Sequence, residues 1–539
     1  MPSDFELLQL EAQRPLRGDP PNGTLVSPRP RLDASDHDLR KMTDQAWIHI
    51  VEANRARPWL FRFGGVPMRA DKDEDGQTVL RQLTPERLRH ESARATDWYR
   101  PSTNGDLKSA NPPLAVMTDM LACPDVPLPV LKSVTHAPSF TVDGRLLDRT
   151  GYDKASGLFT NVIGLGMPRV PLEPTTNDCA RARTLICDDL LGDFPFASES
   201  DRAHAVGLLV QLYARDLIEG YVPLHLFEAP TIGSGKTLCA QAILYSALGR
   251  PVSPIVEAEN DHEWRKRLSA CFLNGRPVVF LDNLAQPLES PSLAAALTSS
   301  RWSDRLLGRN ELIDVPVRCH WVATANNPVL SMEIARRTIR IRLDPKVERP
   351  WQRSGFRHSD LQSWVAANRA QLIWSACVLI RAWLVARRPV PSDLKPMASY
   401  EDWTRVIGGI LAQADIPGFL GNVDEFYSAV DYEGAYWREL VAEWWDQYKS
   451  ATVRTADLIS IAENIDGFPL GQTKEERGRR TALGVQLGQK ADCIIGGYRI
   501  VRAGSVRRAN QWQLIPSTTQ IPDACGDTEV VKLDEDGRA

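Results

Sequence analysis

APTIGSGKT, residues 229–237, closes like a phosphate-binding loop but does not open like one. The pattern G-x-x-x-x-G-K-[ST] is met at Gly235, Lys236 and Thr237, while Pro230 stands where the first glycine belongs. That position only starts the loop; a proline there sets the entry angle and removes one N–H donor. Gly233 and Gly235 let the backbone turn its N–H groups onto a phosphate at the start of the following helix. Lys236 can reach the β/γ oxygens, and the Thr237 hydroxyl can hold Mg²⁺. Pro230, Thr231, Ile232, Gly233, Ser234, Gly235, Lys236 and Thr237 are therefore the expected nucleotide cradle, with ATP and Mg²⁺ as ligands. The flanks agree: LHLFEA (224–229) reads as a strand, and KTLCAQAILYSAL (236–248) as a helix.

Such an ATPase needs a second strand that ends in an acid for the metal. VVFLDN (278–283) fits, with Asp282 as the metal-binding acid beside Thr237. A buried strand ending in a turn aspartate is the plainer reading of VVFLDN alone. Asn283 follows, where many such ATPases carry a water-orienting glutamate; Glu263 and Glu257 are the other carboxylates that could serve. CHWVATANNP (319–328) gives a third apolar strand tipped by Asn326 and Asn327, a polar end that can bond a γ-phosphate or the attacking water. IARRTIRIRL (334–343) then places Arg336 and Arg337 near the end of a short helix. Oligomeric ATPases present such an arginine to the γ-phosphate of the next subunit; Arg337 is read slightly ahead of Arg336, against ordinary surface charge.

Strand and helix candidates alternate from 224 to 343, with VSPIVEA (252–258) among the strands, so an α/β core with a parallel sheet and helices on both faces is expected. The rest of the chain bounds the possibilities. Its 539 residues suggest two to four domains, and 43% hydrophobic and 24% charged residues suit a soluble globular protein. The net charge of -4 confines any nucleic-acid contact to local patches. Nine cysteines without a C-x-x-C pair point to a reducing, cytoplasmic setting and no zinc ribbon. No signal peptide and no span for a bilayer are read, so no membrane partner is expected.

Boundaries follow from composition: an unstructured start (1–36), an α+β accessory domain (37–175), a helical collar (176–220), the ATPase core (221–350), a helical lid (351–445), a winged helix (446–515) and an acidic tail (516–539). Two local signals stand out in the accessory domain, a Gly-Gly turn in WLFRFGGVPMR (59–69) and a cap at Thr84-Pro85-Glu86 opening a helix toward Tyr99. RLLGRNELIDVPV (305–317) reads as a hairpin with Arg309 at its tip and Arg305 at its base. Residues 451–515 hold ten Lys/Arg against six Asp/Glu. There, two helices precede a hairpin whose long loop carries Arg502, Arg507 and Arg508, an outline that sets arginines on DNA phosphate or docks protein.

APTIGSGKT, VVFLDN, WSDRLLG, WVATANNP, ARRTIRIRLD and ERPWQRSGFRHSDLQSWVAANR together resemble the AAA+ helicase module of mobile-element and phage replication proteins, related to superfamily-3 helicases and viral primase-helicases. PLPVLKSVTHAPSFTVDGRLLDRTGYDKASGLF (127–159) is similar to the segment that precedes that module, so the likeness spans most of 83–387. The resemblance implies an AAA+ (ASCE) core, a homo-oligomeric ring, a hexamer, and ATP-driven translocation on single-stranded or forked DNA. In related rings a hairpin at 305–317 points into the channel, which makes Arg305 and Arg309 DNA contacts. A separate primase or polymerase is a further partner of such modules. No primase carboxylate cluster is read in 1–175. The competing expectation is a nucleotide-gated, DNA-bound scaffold, regulator or defence-system ATPase, in which Asn283 reports weak hydrolysis.

Overall fold

A computed structural model describes residues 29–162, 164–305, 312–470, 475–506 and 509–517, so Arg309, Arg507, Arg508 and the tail from 518 lie outside the described residues. The chain divides into two compact units, Met1–Val423 and Asp424–Ala539.

The first unit is organised by a parallel sheet of β1 (Leu224–Ala229), β2 (Val278–Leu284), β3 (His320–Asn326) and β4 (Thr338–Arg342), in the order β2-β3-β1-β4. All six residues of β1 are buried, as a central strand covered on both faces requires. Register pairs Leu224 with Trp321 and Ala229 with Asn326, so the carboxyl ends of β1 and β3 share one edge. Residues 230–235 leave from that edge into helix α1 (Lys236–Leu248), which ends where Gly249, at φ +70°, returns its N–H to Tyr245.

The stretch 252–258 is not the strand expected. Pro254 has no N–H to give a ladder, and Val252 spends its N–H and C=O on the Gln241 side chain. Ile255 N–H still reaches Phe280 O at 2.7 Å beside β2.

Ahead of the sheet, Trp47, Leu60, Leu88, Trp98 and Met117 build a core of their own. Gly64 and Gly65, at φ +56° and +82°, turn strand Leu60–Phe63 into Val66–Lys72, a conformation side chains resist. The Thr84 hydroxyl caps helix Pro85–Ala95 by accepting from Arg87 N–H. That helix stops short of Tyr99, which belongs to strand Asp97–Pro101; its parallel partner is Arg31–Asp33, within the stretch expected to lack structure.

In the second unit, helices Tyr432–Tyr448, Thr455–Asn464 and Glu476–Gln489 pack with an antiparallel sheet of Val453–Arg454, Ala509–Pro516, Tyr498–Val506 and Ile494–Ile495, in that order. The boundary expected after 445 falls after Val423. Trp437, Leu440, Val441 and Trp444, spaced along one helical face, are buried in this unit's core with Leu458, Leu483 and Trp512. The long arginine-bearing loop is also revised. Strand pairing runs out to Val506 and Ala509, and Arg502 lies within the hairpin opposite Trp512, its guanidinium 5.4 Å from that ring.

Three histidines are sealed around the parallel sheet in neutral form. His204 donates from Nδ1 to Arg340 O (2.8 Å) and accepts Leu420 N–H on Nε2 (3.0 Å). Trp403 N–H bonds Gln211 Oε1 (2.5 Å), which turns the Gln211 amide N–H onto His320 Nδ1 at 2.9 Å. Burial lowers His204 to about 4 and His225 to about 3, and pushes His320 well below its ordinary value. Folded values below the unfolded one make this stability complete above about pH 6.5 and lost as pH falls, at about 1.4 kcal/mol per pH unit for each histidine. A melting temperature lower by several degrees at pH 5.5 than at pH 7 is the expected result in thermal scans. A flat profile across that window would mean that these rings already share water.

Candidate functional site

The loop 230–235 gets its shape from two glycines. Gly233 and Gly235 hold φ of +73° and +91°, the left-handed region that only glycine enters freely. Gly235 is also the residue from which α1 starts, which aims the first free N–H groups of the helix out of the sheet edge. Within the loop, the Ser234 hydroxyl donates to Thr231 O (2.6 Å) and lies 3.2 Å from the Thr231 hydroxyl. Ile232 is exposed and Pro230 half-buried.

Lys236, 7% exposed, donates from Nζ to Asn326 Oδ1 at 2.6 Å and to Thr231 O at 3.4 Å. Burial lowers its pKa below the ordinary lysine value, and Asp282 offsets part of that. The Thr237 hydroxyl donates to Asp282 Oδ1 at 2.7 Å. A second hydroxyl, Thr324 on β3, donates to the same oxygen at 2.6 Å and accepts Asn283 N–H at 2.7 Å. Lys236, Thr237, Asp282 and Asn326 therefore converge at one sheet edge.

Thr324 is a residue that the sequence reading passed over. It stands two positions before Asn326 on one strand, so the alternation of a strand sets both on the same face. Asn283 is also explained by the backbone. It sits at φ +56° where the β2–β3 register shifts, a conformation that Asn tolerates and most residues resist.

Other expected residues are not gathered here. The exposed Asn327 contributes its backbone, donating N–H to Ala229 O at 3.2 Å. Glu263 caps nothing at the site; it pairs with Lys266 at 2.6 Å on helix Asp261–Leu273. Glu257 accepts the N–H groups of Ala285 and Gln286 at 3.1 Å, pinning the loop that leaves β2. Arg336 is exposed. Arg337, read ahead of it, has a side chain only 12% exposed, 3.4 Å from the Glu333 carboxylate and 2.5 Å from Glu333 O. Both follow β3 and precede β4, and Arg337 O accepts Leu224 N–H at 3.0 Å. They therefore stand at the amino end of β1, opposite the loop.

Arg305 is exposed at the end of strand Arg301–Arg305, which pairs with Leu312–Pro316. Arg502 is exposed in the second unit. Among the described residues no group of three His, Cys, Asp or Glu is placed to hold a metal unaided. Magnesium in a phosphate site needs fewer, because it is bound through one or two protein oxygens plus phosphates and water. The Thr237–Asp282 pair meets that requirement, and Lys236 with the loop N–H groups suits a polyphosphate. Among the described residues no helix is long and apolar enough to cross a membrane.

No protein-family model matches the chain, and neither does any curated protein. Solved structures do. The apo A form of the NrS-1 C-terminal region aligns over 87% of this chain and 98% of that one, at 9% identity and a TM-score of 0.40. The SCCmec type IV Cch active helicase aligns over 84% and 91%, at 11% identity and 0.33. The JCV helicase aligns over 48% and 67%, at 14% identity and 0.21. The chain, a mixed α/β protein by its own elements, is similar at low identity to structures that include two helicases, and its functional reading rests on the site geometry.

Proposed function

We propose that the chain is an ATP hydrolase of the P-loop AAA+ kind, a ring-forming DNA helicase or replication-initiator ATPase of a phage, plasmid or integrative element. The convergence of Lys236, Thr237, Asp282 and Asn326 at one sheet edge carries the reading. Sheet order supports it too, since the strand ending in Asn326 lies between the loop strand and the strand that carries Asp282.

ATP supplies the phosphoanhydride bond whose hydrolysis drives the work. The chain's own part is electrostatic and positional. Lys236 brings a poorly solvated cation to the β/γ-phosphates. Thr237 and Asp282 would hold Mg²⁺, which would neutralise charge on the phosphates, with Thr324 fixing the Asp282 carboxylate. Asn326 orients the γ-phosphate or the attacking water. The DNA contacts are Arg305, at the end of strand Arg301–Arg305, and Arg309 beyond it in sequence, with Arg502, Arg507 and Arg508 in the C-terminal segment, read as a winged helix. The ring is a hexamer.

Asn283 favours one alternative, a nucleotide-gated DNA scaffold with slow turnover, because no acid follows Asp282. Purified full-length protein with ATP and Mg²⁺ should displace a strand from forked DNA, and single-stranded DNA should stimulate phosphate release. ATP binding without displacement or stimulation would favour the scaffold.

A further inference from the structure

Trp351 lies on a one-turn 3₁₀ helix, Pro350–Gln352, in the segment that follows β4. It is 57% exposed, an unusual state for the largest apolar side chain. Its position is also specific. A Cβ built on Gly233 would lie 3.1 Å from Trp351 Cβ and 3.3 Å from Cε3, so the indole edge sits directly against the loop. The absence of a side chain at 233 is what permits that approach.

On the other flank, a Cβ on Gly235 would lie 3.4 Å from the ring of Phe194, which is buried. The segments carrying the two aromatics are tied together. Arg353 donates to Asp193 O at 3.1 Å, Arg357 N–H donates to Asp193 Oδ2 at 2.7 Å, and Arg357 pairs with Asp189. Trp351 is therefore a fixed aromatic surface at the edge of a phosphate loop, with most of its area turned to solvent.

We propose that Trp351 stacks on the base of the nucleotide held by the loop. This rests on the nucleotide reading above and adds the group that recognises the base. A flat π-surface beside a polyphosphate cradle suits a nucleobase, because the base is the one large planar apolar part of that ligand. Trp351 thereby contributes to affinity without touching the reacting phosphates, so it is a binding residue and not a catalytic one.

The test compares Mg²⁺-ATP with inorganic tripolyphosphate, which lacks the base, by calorimetric titration of the full chain. Stacking on an aromatic contributes on the order of tenfold in affinity or more. Trp351→Ala should weaken ATP by about that factor and leave tripolyphosphate unchanged, while Trp351→Phe keeps most of the ATP affinity. Unchanged ATP binding in Trp351→Ala overturns the proposal. So does an equal loss for both ligands, which would make the indole a support for the loop. Wild-type protein that binds neither ligand overturns the nucleotide site itself, a result distinct from either.

Discussion

Lys236→Ala is expected to abolish ATP turnover without loosening the fold. The ammonium is the only side-chain cation that the loop carries, and its contacts are a neutral amide oxygen and a backbone carbonyl. Among the described residues no carboxylate hydrogen-bonds it, and burial disfavours its charge more than Asp282 favours it. In the absence of nucleotide the cation is therefore a cost to the fold, offset by two hydrogen bonds. Its removal should leave the melting temperature unchanged or slightly raised. In the proposed nucleotide complex the same poorly solvated charge would face the phosphates, where loss of one such electrostatic contact costs about 10²-fold or more in rate. Circular dichroism and a phosphate-release assay on the same preparation check both halves. Near-normal turnover in a folded variant would remove the nucleotide assignment.

The site was more legible in the sequence than its surroundings. β2 and β3 are apolar runs that carry a polar candidate residue near the carboxyl end, Asp282 and Asn326, and β1 is an apolar run leading into the loop, so all three could be read from the sequence. The failures have physical causes. At 252–258 the apolar content suggested a strand, but Pro254 cannot join a ladder. Arg31–Asp33 is three residues long, and its partner lies far along the chain at Asp97–Tyr99, so no local pattern announces it. The helix Tyr432–Tyr448 was readable as a helix; which core its tryptophans enter is a tertiary choice, and the boundary moved with it. Trp351 lies in a segment without regular periodicity, and nothing in ERPWQR marks its contact with Gly233. Thr324 could have been found from strand alternation once Asn326 was assigned.

The arginine pair illustrates what register adds to spacing. Arg337 adjoins Leu224 at the start of β1, while the loop leaves after Ala229, a strand length of about 17–20 Å away. Neither arginine can serve the loop of its own subunit, so a role in hydrolysis must be played across an interface. Exposure then separates the two. Arg337 is held against Glu333, whereas Arg336 is free to reach outward, which makes Arg336 the better-placed finger. Arg336→Ala should bind ATP about normally and lose on the order of 10³-fold in turnover. Arg337→Ala should mainly lower the melting temperature. The decisive measurement mixes Arg336→Ala with Lys236→Ala subunits. Each parent should be nearly inactive, but a mixed ring of the proposed kind would contain interfaces that pair an intact Lys236 with an intact Arg336. ATPase activity should therefore rise above both parents at intermediate ratios. If mixed oligomers form and activity stays flat, Arg336 does not act in trans and the finger assignment fails for it.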